Sequence, residues 1–128
     1  MSEVPDDRKY TPSHEWLLAD GQLVTIGITQ YAADELTDIT YVELPATGTE
    51  VKAGSALGEI ESVKATSDIF AHVSGQVVAV NEALADEPGL VNTDPFGRGW
   101  MVKVQADDLT PLNGLMDASA YAALLRES

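Results

Sequence analysis

The stretch Gly58-Glu59-Ile60-Glu61-Ser62-Val63-Lys64-Ala65-Thr66-Ser67-Asp68-Ile69-Phe70-Ala71 divides into two strands at a lysine. Leu57 to Val63 and Thr66 to Ala71 have the apolar and β-branched content of strands, and only Lys64 and Ala65 separate them, the spacing of a two-residue hairpin. The lysine amine is held out from the body and can be reached from nearly every side. Most exposed lysines serve solubility alone, so the hairpin by itself assigns no role.

Strands and turns continue outward in both directions. Leu17 and Leu18 run into Asp20-Gly21 and then Leu23 to Ile28, a strand, tight turn and strand. Thr29 is placed to cap a short helix over Gln30 to Leu36, which lacks Gly and Pro. Ile39 to Leu44 reads as a strand that stops at Pro45. Val77 to Val80 and Gly99 to Val104 add two more, with Glu82 to Gly97 between them as a long loop rich in Asp, Asn, Pro and Gly. Asp117 can cap a final helix whose Tyr121, Leu124 and Leu125 share one face. Many short strands with frequent turns make the chain mainly β, a sandwich or flattened barrel. Residues 1–9, polar and carrying Pro5 and two adjacent aspartates, are expected as a flexible N-terminal tail, and 10–128 as a single domain.

Composition narrows the classes of function. The 128 residues suit one core, and 45% hydrophobic content fills it. Seven basic against 21 acidic side chains give a net charge of −14, which repels phosphate backbones and anionic lipid. Neither nucleic acid nor membrane is expected as a partner. No apolar run reaches bilayer length, and the acidic opening Met1-Ser2-Glu3-Val4-Pro5-Asp6-Asp7 is unlike an export signal. With no cysteine, disulfides, thiolate catalysis and Cys-ligated metals are excluded. A cytoplasmic protein is the expectation.

No catalytic constellation or metal site survives inspection. His14-Glu15 begins a zinc-protease pattern, but Leu18 stands where its second histidine belongs. No serine lies in a G-x-S-x-G elbow. Glu59 and Glu61 share a strand face, which is better read as a solvated surface than as an acid–base pair.

Glu61-Ser62-Val63-Lys64-Ala65 is preceded by Tyr10-Thr11, His14-Glu15-Trp16 and Val42-Glu43-Leu44-Pro45, and followed by Val73-Ser74-Gly75, Asn81 and Gly99-Trp100. In that order these words closely resemble the H protein family of the glycine cleavage system, from about Tyr10 to the C-terminal helix. The resemblance implies a barrel-sandwich hybrid of two antiparallel sheets with short added helices, one of them C-terminal. It also implies that Lys64 carries lipoic acid through an amide, making 10–128 a lipoyl-carrier domain in glycine catabolism. Two positions depart from the family pattern: Thr37 stands where Gly is usual, in the turn after the helix, and His72 stands where Pro is usual, in the strand leaving the hairpin.

By the same resemblance the partners are glycine decarboxylase, aminomethyltransferase, dihydrolipoyl dehydrogenase and the lipoate-attaching enzyme, and the chain is a non-catalytic, monomeric carrier. Lipoylation removes the lysine's positive charge and adds a tether whose bonds sum to a reach of about 14 Å. Glu15 and Asp68 are expected to meet the amine of the loaded arm, Asp68 because four positions from Lys64 puts it on the same face of a regular strand. Glu61, three residues before the lysine, is expected to guide the lipoate-attaching enzyme. Trp16 and Trp100 are expected in the core, and Gly75 is read as a backbone requirement at the turn between sheets.

Several rivals share the hairpin lysine. A biotinyl domain usually has methionines beside it, where Val63 and Ala65 stand. A lipoyl domain of a 2-oxo acid dehydrogenase usually has aspartate before the lysine and a linker to a catalytic domain. A lipoate relay carrier for another pathway and an unmodified acidic interaction protein of the same fold remain as alternatives.

Overall fold

A computed structural model describes residues 4–126. In chain order the elements are β1 (Lys9–Tyr10), β2 (Glu15–Asp20), β3 (Leu23–Ile28), α1 (Gln30–Leu36), β4 (Ile39–Glu43), β5 (Glu50–Val51), β6 (Ala56–Ser62), β7 (Thr66–Phe70) and β8 (Gly75–Val80). They are followed by α2 (Ala83–Asp86), α3 (Leu90–Thr93), β9 (Val102–Ala106), a 3-10 turn at Thr110–Gly114, and α4 (Ala118–Arg126). Two sheets form, one ordered β1-β2-β3-β9-β8-β5 and the other β4-β6-β7. Every pairing is antiparallel.

The larger sheet is covered on both faces, and its alternating side chains explain why. Val24, Ile26 and Ile28 of β3 and Leu17 of β2 point toward the smaller sheet, where they meet Val42, Ile60 and Ile69 in the main core. Trp16, one residue out of step with Leu17, faces the other way and packs with Tyr10 and Tyr121 beneath α4. Asp117 caps that helix through Ala120 N–H at 2.8 Å, and Leu124 and Leu125 join the same cluster as expected. The Trp16 indole donates to the Pro95 carbonyl at 3.1 Å. It lies over Gly27, where a Cβ would approach the ring to 2.7 Å. Trp100 is half-buried at the rim of this cluster.

Several details differ from the sequence reading. Strand β6 ends at Ser62, so the hairpin loop has three residues, Val63 to Ala65. The expected loop from Glu82 to Gly97 contains α2 and α3, which bury Leu84, Leu90 and Val91. Asn81 accounts for this: its side-chain amide donates to the carbonyls of Arg98 and Trp100, both at 2.7 Å, and its oxygen accepts the Ala83 N–H. The last strand starts at Val102 rather than Gly99, and the two-residue strands β1 and β5 are too short to leave a periodic signal.

Residues 1–3 of the expected tail lie outside the described residues. The part nearer the fold is engaged: Tyr10 hydroxyl donates to the Pro5 carbonyl, the Arg8 guanidinium stacks 4.7 Å from the Trp16 ring centre, and Lys9 pairs with Leu17. Gly75 is required, but for a different reason from the turn expected. It lies within β8 opposite Ala106, and a Cβ there would sit 2.1 Å from the Gln105 carbonyl oxygen.

Candidate functional site

Ser62 organises the lysine loop. Its hydroxyl accepts N–H bonds from Lys64 and Ala65 and donates to the Ala65 carbonyl, while its own N–H meets Ala65 O at 2.9 Å. Side-chain bonding of this kind lets a serine hold a tight turn without further ladder pairing. Val63 therefore leaves the ladder, gives its N–H to Asp38 O at 3.0 Å, and stands 68% exposed.

Lys64 is exposed at the head of this loop. Its Nζ donates to the Glu35 carbonyl at 3.2 Å, in the last turn of α1, where unpaired carbonyls give a helix end negative character. Among the described residues no carboxylate forms an ion pair with it. Freeing this amine costs one exposed hydrogen bond.

Glu35 belongs to a groove beside the hairpin. Ser13, His14, Tyr31, Ala32, Glu35, Leu36 and Ser67 line it, with a volume of about 250 Å³. One wall is the loop between β1 and β2. His14 adopts φ +69° there, a left-handed conformation uncommon outside glycine, and the loop closes through Thr11 N–H to Glu15 O and His14 N–H to Thr11 O.

The turn places Glu15 at the base of that loop, 1% exposed. Its Oε1 accepts from Thr11 hydroxyl at 2.7 Å, Ser13 hydroxyl at 2.5 Å and His72 Nε2 at 2.8 Å, and its Oε2 accepts the Phe70 N–H at 3.2 Å. Burial pushes the carboxyl toward the neutral acid, yet the bonds from His72, Ser13, Thr11 and Phe70 outweigh it and hold the group below the ordinary carboxylate value. Glu15 is an anion within the protein. Phe70 belongs to β7, the outermost strand of the smaller sheet, so the carboxylate takes an N–H that no neighbouring strand can reach.

A second polar chain enters the groove from behind. His14 Nδ1 meets the Tyr121 hydroxyl at 2.7 Å, which meets Thr29 Oγ1 at 2.7 Å, and Thr29 caps α1 through Ala32 N–H. Burial raises the Tyr121 phenol to about 12 and lowers His14 against the pull of Glu15 and Glu35. Both are uncharged near neutral pH. One short network thus ties α4, α1 and the β1–β2 loop to one another.

The remaining expected residues lie on the smaller sheet. Asp68 is exposed on β7 and lines a different groove, with Glu43, Leu44, Pro45 and residues 56–59. Ser67, one residue earlier, is the β7 residue that faces Glu35 and His14. Glu61 is exposed opposite Thr66 and Tyr41. Thr11, Ser13 and His72 surround Glu15 without having been assigned a role from sequence. Thr11 belongs to the Tyr10-Thr11 stretch and Ser13 directly precedes His14-Glu15-Trp16, while His72 stands out in the sequence only as a departure from the family pattern.

The second departure also has a definite place. Thr37 ends α1 with φ +62° and ψ −145°, a region almost confined to glycine. Its carbonyl accepts from Asn92 Nδ2 at 2.7 Å, and Asp38, the next residue, receives the Val63 N–H. The lysine loop therefore leans on the turn that Thr37 makes.

Comparison with known proteins agrees with this arrangement. The family model described as "Glycine cleavage H-protein" matches residues 8–128. The glycine cleavage system H protein of Cronobacter sakazakii is 52% identical over 99% of each chain. That of Halorhodospira halophila is 50% identical over 99% of this chain and 98% of its own. The crystal structure of a glycine cleavage system H protein from Mycobacterium marinum superposes with a TM-score of 0.87 at 42% identity, covering 95% of this chain and 98% of that one. With the match spanning the lysine hairpin, both sheets and α4, the chain belongs to the glycine cleavage H-protein family.

Proposed function

We propose that Lys64 is the attachment point of lipoic acid and that the chain is the lipoyl carrier of a glycine cleavage system. In this reading it shuttles the aminomethyl group from glycine decarboxylase to aminomethyltransferase and brings the reduced dithiol to dihydrolipoyl dehydrogenase. The observation that carries the reading is the Lys64 amine, exposed on a braced three-residue loop with, among the described residues, the Glu35 carbonyl as its one partner. The residues fit the group: nothing in the loop encloses Nζ, and Ser62 holds the loop from below whether or not the amine is modified.

The lipoyl group, when bound, supplies a disulfide that can accept the aminomethyl group and be reduced. All else falls to the chain's own residues. Lys64 provides the amide nitrogen and stands apart from the packed core. Glu61, exposed three residues before it, is assigned to recognition by the lipoate-attaching enzyme, and Glu15 and Asp68 to holding the amine of the loaded arm. Residues 10–128 act as one lipoyl-carrier domain, which turns over nothing alone and works in the cytoplasm as a substrate of its partner enzymes. Among the described residues no helix is long and apolar enough to cross a membrane.

Intact mass after expression with lipoate tests the attachment, and Lys64→Arg tests the shuttle. A lipoyl increment on the native chain alone is expected, together with glycine-dependent ammonia release in the presence of the three partner enzymes. Equal release with the arginine variant would refute the reading.

A further inference from the structure

Thr29 and Tyr121 are both buried, and counting their hydroxyl hydrogens fixes where the proton of His14 lies. Thr29 Oγ1 accepts the Ala32 N–H and meets the Tyr121 hydroxyl, which in turn meets His14 Nδ1. A hydroxyl has one hydrogen to donate, and among the described residues the Tyr121 oxygen is the one acceptor within reach of the Thr29 hydrogen. With Thr29 donating to Tyr121, Tyr121 must donate to Nδ1, and every member of the chain is satisfied. The reverse direction, from Nδ1 to Tyr121 to Thr29, leaves the Thr29 hydrogen buried without a partner. That defect disfavours it by about fivefold or more.

Burial lowers His14, so near neutral pH the ring carries one hydrogen, and the relay puts it on Nε2. Among the described residues no buried side-chain nitrogen or oxygen lacks a hydrogen-bond partner. Nε2 has none there, so it is open to solvent, in a ring that lines the groove. The donor is aimed rather than loose: Tyr121 stacks on Tyr10 with ring centres 4.8 Å apart, and the imidazole lies 4.7 Å from the Tyr31 ring. The same groove offers an acceptor at Glu35, whose carbonyl meets Lys64 Nζ at 3.2 Å. Acylation would leave one hydrogen on that nitrogen, enough to keep this bond, and would set a carbonyl oxygen beside it. A secondary amide is one donor and one acceptor, the complement of the Glu35 carbonyl and His14 Nε2–H. An ammonium has three donors and no acceptor and cannot use the imidazole N–H.

We propose that the groove recognises the amide formed when Lys64 is acylated, with His14 Nε2–H donating to the amide oxygen and Tyr121 of α4 acting as the positioning residue for His14. The inference rests on the carrier function proposed above. It adds that the root of the arm is held in every loading state, because the amide stays the same while the dithiolane changes.

The test uses the full chain with ¹⁵N-labelled histidine near neutral pH, before and after enzymatic lipoylation, with His14→Gln identifying which imidazole signals belong to His14. In the unmodified native chain the proton is expected on Nε2, with Nδ1 shifted as a hydrogen-bond acceptor. Tyr121→Phe keeps the ring that packs on Tyr10 and is expected to lose the Nδ1 acceptor shift. Lipoylation should slow exchange of the Nε2 proton with water about fivefold in the native chain, the effect of one ordinary hydrogen bond, and less than about twofold in Tyr121→Phe. The native readouts stand even if that variant does not fold. A proton on Nδ1 in the native chain, or Nε2 exchange unchanged by lipoylation, overturns the inference alone, and equal slowing in Tyr121→Phe overturns the role of Tyr121. A chain that accepts no lipoyl group overturns the carrier function and the amide site with it, whatever the imidazole spectrum shows.

Discussion

Replacing Thr37 by glycine should make the protein more stable, although glycine ordinarily weakens a fold. Thr37 occupies φ +62°, ψ −145°, and holding a residue with a Cβ in such a region costs about 1–3 kcal/mol. Glycine adopts it freely but brings a more disordered unfolded chain, worth about 0.4–1 kcal/mol against the variant. The Thr37 hydroxyl bond to the Leu36 carbonyl is exposed and local, so its loss adds little. The backbone bonds that anchor the turn, Thr37 N–H to Asp34 O and Asn92 Nδ2 to Thr37 O, need no side chain at this position. The balance favours Thr37→Gly by about 0.5–2 kcal/mol. At about 3–5 °C per kcal/mol for a chain of this size, Tm should rise by about 2–10 °C. Urea unfolding followed by tryptophan fluorescence reads this directly, because Trp16 is buried. Thr37→Ala is the control: it removes the hydroxyl but keeps the Cβ, and should show no gain. If Thr37→Gly unfolds at lower urea than the native chain, or matches Thr37→Ala, the strain argument is wrong.

Two further predictions follow from the buried carboxylate and the β8–β9 ladder. Glu15→Gln should cost about 2–3 kcal/mol near neutral pH, the scale of hydrogen bonds to a charged group. Because the folded-state carboxyl is held below its ordinary value of 4.5, the stability from its ionisation is fully present above that value and is lost as pH falls through the folded-state value. The gap in urea midpoint between the native chain and Glu15→Gln should therefore narrow from pH 6 to pH 3; a constant gap would exclude the ionised network. Gly75→Ala must move the Gln105 carbonyl away from the new methyl and should cost about 3 kcal/mol or more. Thermal unfolding within about 1 °C of the native chain would show that the ladder yields there.

The parts of the fold that could be read in advance are those whose signals are local. Thr29 before a run without Gly or Pro gave α1 its limits, and Asp20-Gly21 between alternating apolar residues gave the β2–β3 turn. Lys64 was visible for the same reason, since two strands and a short loop are adjacent in sequence. The surroundings of Glu15 were not, because its four donors come from residues 11, 13, 70 and 72 and meet only when the two sheets pack. Asp68 illustrates the opposite limit. Counting along the strand put it on the same face as Lys64, but Lys64 lies in the loop, where strand alternation no longer applies. The segment from Glu82 to Gly97 reads as a loop because Asn and Pro usually mark irregular chain, whereas Asn81 acts as a buried pin for two short helices.

The bond from the Phe70 N–H to Glu15 bears on more than the groove. An outermost strand is a template onto which another molecule can zip, the first step toward fibrils. Here a fixed anion occupies one of the donors that an incoming chain would use, at the Phe70 end of the strand. One carboxylate thus holds both an edge donor and the Ser13 wall of the groove, so variants that loosen it should be watched for self-association as closely as for lost delivery.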